Sequence, residues 1–302
     1  MDIKALKYFL ALCETGSITA AARELKMTQP ALTRQMKALE EELGGKLFDR
    51  KKKGIILTEA GEYLSKRAIE IINLAERTVD EFPQAGQEVT GNLRIGASES
   101  PSIAYTVKVI KSLREKYPGI KVHFSNAGSR EIQASWLESG IIDFSLLSVV
   151  PITGRYANIR LPVQDTWGLL MRKDDPMARK SNVEPADLKG LPLLAGKSEN
   201  FRNLMSGWLG FDFQQLNMIG TSFLMSSTEN LVLEKVAYAI VREGIINEGI
   251  RSNICFRPFF PEIRSNVYLA WPNNRKPTNI QQLFLQEFKS SIPDNTSKAM
   301  ER

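Results

Sequence analysis

Residues 16–38, GSITAAARELKMTQPALTRQMKA, limit the possible folds more than any other stretch of the chain. Gly16 ends a preceding helix, and Ser17 is a good N-cap for a second one over about residues 18–25. Lys26 and Met27 leave room only for a tight turn. Thr28 then caps a third helix with Pro30 in its first turn, where a missing amide proton costs little. Leu32, Met36, Leu39 and Leu43 give that helix an apolar stripe, and Gly44 is its natural stop. Upstream, Ile3, Leu6, Phe9, Leu10 and Cys13 repeat at helical spacing, which predicts a first helix over 2–14. Two helices joined by a short turn and braced by a third form a helix-turn-helix.

The other face of the third helix carries Gln29, Thr33, Arg34 and Lys37. A recognition helix inserts its N-terminal end into the major groove. There Gln can bond adenine, Arg can bond guanine, and a Thr methyl can touch a thymine methyl. After Gly44, the run KLFDRKKKGIILTEAG reads as short strands at Lys46–Phe48 and Ile55–Leu57. They flank a turn holding Arg50, Lys51, Lys52, Lys53 and Gly54, a basic wing suited to phosphates. Either feature alone reads as a solvated surface; both in one basic segment point to DNA. Charge agrees with this division: residues 1–58 carry a net +4, residues 59–88 a net −4, and the whole chain +6 with an isoelectric point near 9.2.

Residues 1–64 resemble the N-terminal winged helix of LysR-type transcriptional regulators. The resemblance rests on Phe9-Leu10, Gly16–Ala22, Leu25, Thr28–Thr33, Leu39–Gly44, Leu47–Arg50 and Leu57–Gly61, in that order. It implies that Thr28, Gln29, Pro30, Thr33 and Arg34 contact DNA, with Arg50 and Lys53 helping from the wing.

From Thr58, an N-cap followed by Glu59 and Glu62 in the first turn, a long helix is expected. Its stripe of Tyr63, Leu64, Ala68, Ile71, Ile72, Ala75 and Val79 calls for a partner, either a second copy or the chain's own C-terminal domain. The resemblance favours dimerisation through this helix. Pro83, Gly86 and Gly91 mark a hinge. The expected division is a winged helix over 1–58, a linker helix and hinge over 59–90, and an effector-binding domain over 91–302.

Beyond residue 91, strands and helices alternate: strands at Asn92–Ala97, Ile120–Ser125 and Ile142–Leu147, with helices over about 101–116 and Arg130–Leu137. A second set follows from Trp167–Met171, and the chain closes with Val267–Trp271 and a helix near 279–290. Alternation of this kind predicts a parallel, doubly wound α/β sheet. Such sheets bind ligands beyond the carboxyl ends of their strands. Ser98, Ser100, Ser102, Asn126, Gly128, Ser129 and Ser148 follow the first three strands, and Ser198 and Phe201 hold the equivalent place in the second set. Each alone is a good N-cap; together they suit a cleft for a small polar or carboxylated molecule. The family resemblance implies a two-lobed, periplasmic-binding-protein-like effector domain. Lobe 1 would cover about 91–162 and 267–302, and lobe 2 about 163–266, with crossings near 161–166 and 264–268. It points to Ser98, Ser129, Ser148 and Phe201 as cleft residues. One departure stands out. Where the family often has a glycine-rich strand end followed by proline, this chain has AYAIVREGI, which brings a charge to the cleft wall through Arg242 and Glu243.

An enzyme and an architectural DNA-binding protein are the rival classes. The single histidine, His123, lies in an expected buried strand and reads as a packed side chain. Two distant cysteines, Cys13 and Cys255, and no phosphate-loop glycines leave little material for a triad, metal site or cofactor. No apolar run is long enough to span a membrane, and the N-terminus lacks a signal-peptide pattern. The expectation is a cytoplasmic, non-enzymatic regulator with no cofactor or metal. The family resemblance implies that it binds an interrupted dyad in double-stranded DNA as a dimer or tetramer and answers a small effector, which the basic charge of the effector domain leans toward an anion.

Overall fold

The structure is a computed structural model and describes residues 1–51, 54–81, 89–126, 129–148, 154–196, 199–222, 224–245 and 253–293. The chain divides into two compact units, one of residues 1–87 with 138–141 and the other of 88–137 with 142–302.

The first unit opens with α1 (Ile3–Thr15), α2 (Ile18–Glu24) and α3 (Gln29–Leu43). Each start has the side-chain cap that its sequence offers. Asp2, Ser17 and Thr28 accept from the amides of Ala5, Ala20 and Ala31, and such a cap contributes about 1 kcal/mol. Gly16 and Gly44 end α1 and α3 in the left-handed conformation. Strands β1 (Phe48–Lys51) and β2 (Gly54–Leu57) pair antiparallel, with Lys51 opposite Gly54. The wing docks where α1 meets α2: Ile55 donates to the Gly16 carbonyl at 2.9 Å, and a Cβ on Gly54 would lie 2.4 Å from that oxygen.

Helix α4 (Glu59–Glu81) starts against Lys46 and Leu47, just before β1. Thr58 Oγ1 donates to the Lys46 carbonyl, and a Cβ on Gly61 would sit 1.9 Å from the Leu47 carbonyl oxygen, so only glycine permits this approach. The apolar stripe of α4 finds a partner that the sequence does not suggest. Leu64, Ala68 and Ile72 pack into the core of the winged helix itself, with Leu6, Phe9, Leu12, Leu32 and Met36. Tyr63, Leu74 and Val79 stay exposed. The α3 stripe is also shorter than expected, since Leu43 is 44% exposed beside its C-cap.

The second unit contains, in order, β3 (Gly91–Ala97), α5 (Ile103–Lys116), β4 (Ile120–Ser125), α6 (Arg130–Ser139, its last two residues grouped with the first unit), β5 (Phe144–Leu147) and β6 (Tyr156–Arg172). It continues with β7 (Leu193–Ala195), α7 (Glu199–Leu209), β8 (Met218–Thr221), α8 (Met225–Leu233), β9 (Tyr238–Arg242), β10 (Ile254–Pro258), β11 (Arg264–Pro272) and α9 (Asn279–Ser290). Strands β4, β3 and β5 run parallel in one lobe, and β8, β7 and β9 run parallel in the other. The sheets are mixed rather than wholly parallel because two antiparallel strands complete them. β6 pairs with β11 over residues 156–166 and with β9 and β10 from residue 167 onward, so one strand of 17 residues belongs to both lobes. The segment Trp167–Met171 is therefore the end of that long strand. Each lobe has its own core: Leu93, Phe144, Leu269 and Phe284 in the first, and Leu169, Val183, Met205 and Phe259 in the second.

His123 is not a core residue. β4 is the outermost strand of its lobe, so one face meets solvent. His123 is exposed there, with its Nε2 2.9 Å from Asn92 Oδ1. No helix among the described residues is long and apolar enough to cross a membrane.

Candidate functional site

Two surfaces bring together the residues singled out above. The first is the N-terminal half of α3. Thr28, Gln29, Pro30 and Arg34 are exposed there, and no acidic residue lies in the first turn. Among the described residues, Gln29 and Arg34 make no side-chain hydrogen bond or ion pair. Two long polar side chains held at a helix start with nothing to bond are available to base edges. Thr33 is half-buried, and its hydroxyl is enclosed without a partner. Lys37 faces Glu41 at 3.4 Å. Arg50 is exposed on β1, and Lys53 lies outside the described residues. On α1, burial pushes the Cys13 thiol up to about 11, which disfavours the reactive thiolate.

The second surface is a cleft of about 710 Å³ between the two lobes of the second unit, within the usual range for small-molecule sites. It lies at the carboxyl ends of β3, β5, β7 and β9, where the Ser98–Ser100 segment, Ser148, Gly196 and Arg242 line it. Of the expected residues, Ser98, Ser100, Ser129, Ser148 and Phe201 line the cleft. Ser198 lies outside the described residues, as does Gly128. Ser102 is 4% exposed and is not among the lining residues; its hydroxyl donates to Asp165 Oδ1 at 2.5 Å. Ser98 accepts from Gln133 Nε2, whose Oε1 in turn accepts from the buried Ser145. Ser129 caps the start of α6 through the Ile132 amide. The Glu131 carboxyl in the same turn is held below its ordinary range, first by its own backbone amide and then by the Ser129 hydroxyl.

One wall is aromatic. Phe201 lies 5.3 Å from Trp167 and 6.1 Å from Phe213, and Leu146, Leu194, Leu204, Met225 and Ile240 extend the apolar lining. The floor is charged. Arg242 and Trp167 sit opposite each other on β9 and β6 and so share a face, with the guanidinium 4.7 Å above the indole ring. Asp165, two residues before Trp167, points the same way by strand alternation. Its carboxylate is fully buried and lies 3.3 Å from Arg242 Nε. Burial pushes the Arg242 guanidinium below its usual value, and Asp165 opposes that. The sequence flags Arg242. Nothing in it marks Asp165 except a lone acid in an apolar strand, RLPVQDTWGLLM.

Comparison with known proteins agrees with this geometry. The family "Bacterial regulatory helix-turn-helix protein, lysR family" matches residues 3–62, and "LysR substrate binding domain" matches residues 86–292. The chain is 26% identical over 300 residues to the uncharacterized HTH-type transcriptional regulator YvbU of Bacillus subtilis (strain 168), covering 96% of this chain and 98% of that one. It is 26% identical over 276 residues to the hydrogen peroxide-inducible genes activator of Dickeya chrysanthemi, covering 90% and 89%. In fold it is similar to the solved structure of CbnR, a LysR family transcriptional regulator. The TM-score is 0.76 and the identity 21%, with 97% of this chain and all of that chain covered. The chain belongs to the LysR family of DNA-binding transcriptional regulators, its helix-turn-helix domain followed by a LysR substrate-binding domain.

Proposed function

We propose that this protein works in the cytoplasm as an effector-responsive regulator that reads an operator with α3 and senses a small molecule in the cleft of its second unit. The observation that carries the reading is the unpartnered, exposed pair Gln29 and Arg34 at the start of α3. In this reading Thr28, Gln29, Pro30, Thr33 and Arg34 meet the major groove, and Arg50 and Lys53 meet the backbone beside it. The domain roles follow the division at about residues 58 and 90. The exposed Tyr63, Leu74 and Val79 on α4 support pairing with a second copy. Two copies would place two recognition helices on an interrupted dyad, and two dimers would make a tetramer. The solved structure of full-length CbnR complexed with its target DNA supports the same use of the fold. Ser98, Ser100, Ser129, Ser148, Ser198 and Phe201 would meet the effector, and Ser102 would act behind them through Asp165. An effector changes transcription here only by binding one arrangement of the lobes better than the other.

The test is a DNase footprint on the DNA upstream of the coding region, with excess random competitor at two salt concentrations. A discrete protected dyad that survives competition is expected. Protection that disappears with modest salt and shows no preferred site would reduce the reading to phosphate attraction.

A further inference from the structure

Arg242 does more than line the cleft. It sits at the end of β9 in the second lobe, yet its bonds go to the first. Nη1 donates to the Glu99 carbonyl at 2.7 Å, and Nη2 donates to Ser148 Oγ at 3.1 Å. Those acceptors follow β3 and β5, the two central parallel strands of lobe 1. Asp165, on the strand shared by both lobes, anchors the same group from below. It accepts from the hydroxyls of Ser100 and Ser102, both of lobe 1, at 2.6 and 2.5 Å, and lies beside Arg242 Nε. That Nε is enclosed and lacks a hydrogen bond of good geometry. A cation and an anion thus tie one lobe to the other through the protein's own groups.

We propose that the Arg242–Asp165 pair is a built-in clamp across the cleft, and that the effector is a singly charged carboxylate with an apolar body that takes over the Arg242 donors. The inference rests on reading the cleft as the effector site. A planar carboxylate matches the guanidinium fork and makes charge-assisted bonds, whereas the present acceptors are a neutral carbonyl and a neutral hydroxyl. A dianion is disfavoured because Asp165 already faces the same cation, and Glu99 lines the cleft beside it. The apolar wall from Trp167 to Met225 suits a hydrocarbon or aromatic remainder. Once the effector holds Arg242, lobe 1 loses its Glu99 and Ser148 tethers, and the lobes shift.

The clamp is tested without DNA or ligand, by hydrogen exchange on the full chain and on the double variant D165N/R242Q, which leaves no charge buried alone. Amides of the 98–105 and 144–148 segments should exchange about tenfold faster in the variant, the factor for losing one hydrogen bond to a charged group. The core of β7 should be unchanged. Equal exchange in both proteins overturns the clamp; faster exchange throughout the second unit would mean general destabilisation and overturns it too. The ligand class is tested by thermal shift with butanoate, hexanoate and phenylacetate against their primary amides. The acids alone should raise the midpoint, and only in the unmodified protein. No shift with any acid, equal shifts with the amides, or shifts that persist in D165N/R242Q overturn the assignment. Failure of the operator footprint leaves both measurements intact, so the two readings fail separately.

Discussion

The start of α3 and the floor of the cleft both depend on an arginine, and the two arginines are held in opposite ways. Arg34 stands exposed and unpartnered among the described residues, so the fold barely uses it. Arg242 is 16% exposed, stacked on Trp167 and bound to two acceptors in the other lobe, so the fold depends on it. An exposed cation keeps its hydration until a ligand takes it, and its worth is seen only in binding. A buried cation has lost its water already, and removing it leaves its counter-ion stranded. The same side chain is thus left open at one surface, as the proposed operator contact requires, and built into the packing at the other.

Four substitutions can break or sharpen that contrast. The largest effect is expected for Arg242→Met, which leaves Asp165 buried without a cation and should destabilise the second unit by about 3–5 kcal/mol. Urea denaturation of the full chain measures it, and a loss within about 0.5 kcal/mol, the range of an ordinary surface change, would erase the distinction from Arg34. Gly61→Ala comes next. The added methyl meets the Leu47 carbonyl at the junction of α4 and β1, and should cost the winged helix about 3 kcal/mol. A two-step unfolding curve should show the loss in the first unit alone.

Arg34→Ala should weaken operator binding by about 1–3 kcal/mol through one lost base contact. Its melting temperature should stay unchanged; a drop would show that Arg34 is structural after all. Glu287→Gln is the smallest. Lys116 foremost, then Ser112, hold the Glu287 carboxyl below its ordinary value of 4.5. The folded protein thus binds that proton less readily than the unfolded chain. The contribution is present above the ordinary value and is lost as pH falls through the lower folded one. At neutral pH the variant should be less stable by about 1 kcal/mol, and titrating both proteins downward should close the gap.

How much could be read in advance differs between the two surfaces for a local reason. The helices of the winged helix are specified by caps and stops a few residues apart: Asp2, Gly16, Ser17, Thr28 and Gly44 each act on their own turn. The polar face of α3 follows once the helix is placed. The cleft serines were legible in the same way, as residues that follow strands, and five of them with Phe201 are described: Ser98, Ser100, Ser129 and Ser148 face the cleft with it, while Ser102 turns inward. What went unread lies where distant segments meet. His123 was expected in the core, but the edge position of β4 depends on which strands pair, and spacing along the chain does not state that. β10 went unread because ICFRP carries no alternation; it is recognisable only as the partner of β6. The α4 stripe gave its period correctly and its partner incompletely, since Leu64, Ala68 and Ile72 turn inward on α1 and α3.

The sequence by itself determined the helix-turn-helix with its basic wing, the strand–helix alternation of the second unit and the family, because these rest on capping, period and motif within short spans. Only the tertiary structure decided that β6 serves both lobes, that α4 divides its apolar surface, and that Asp165 meets Arg242. Those residues stand 77 positions apart, 165 and 242, and are joined because the antiparallel register sets Trp167 opposite Arg242 and strand alternation turns Asp165 to the same face.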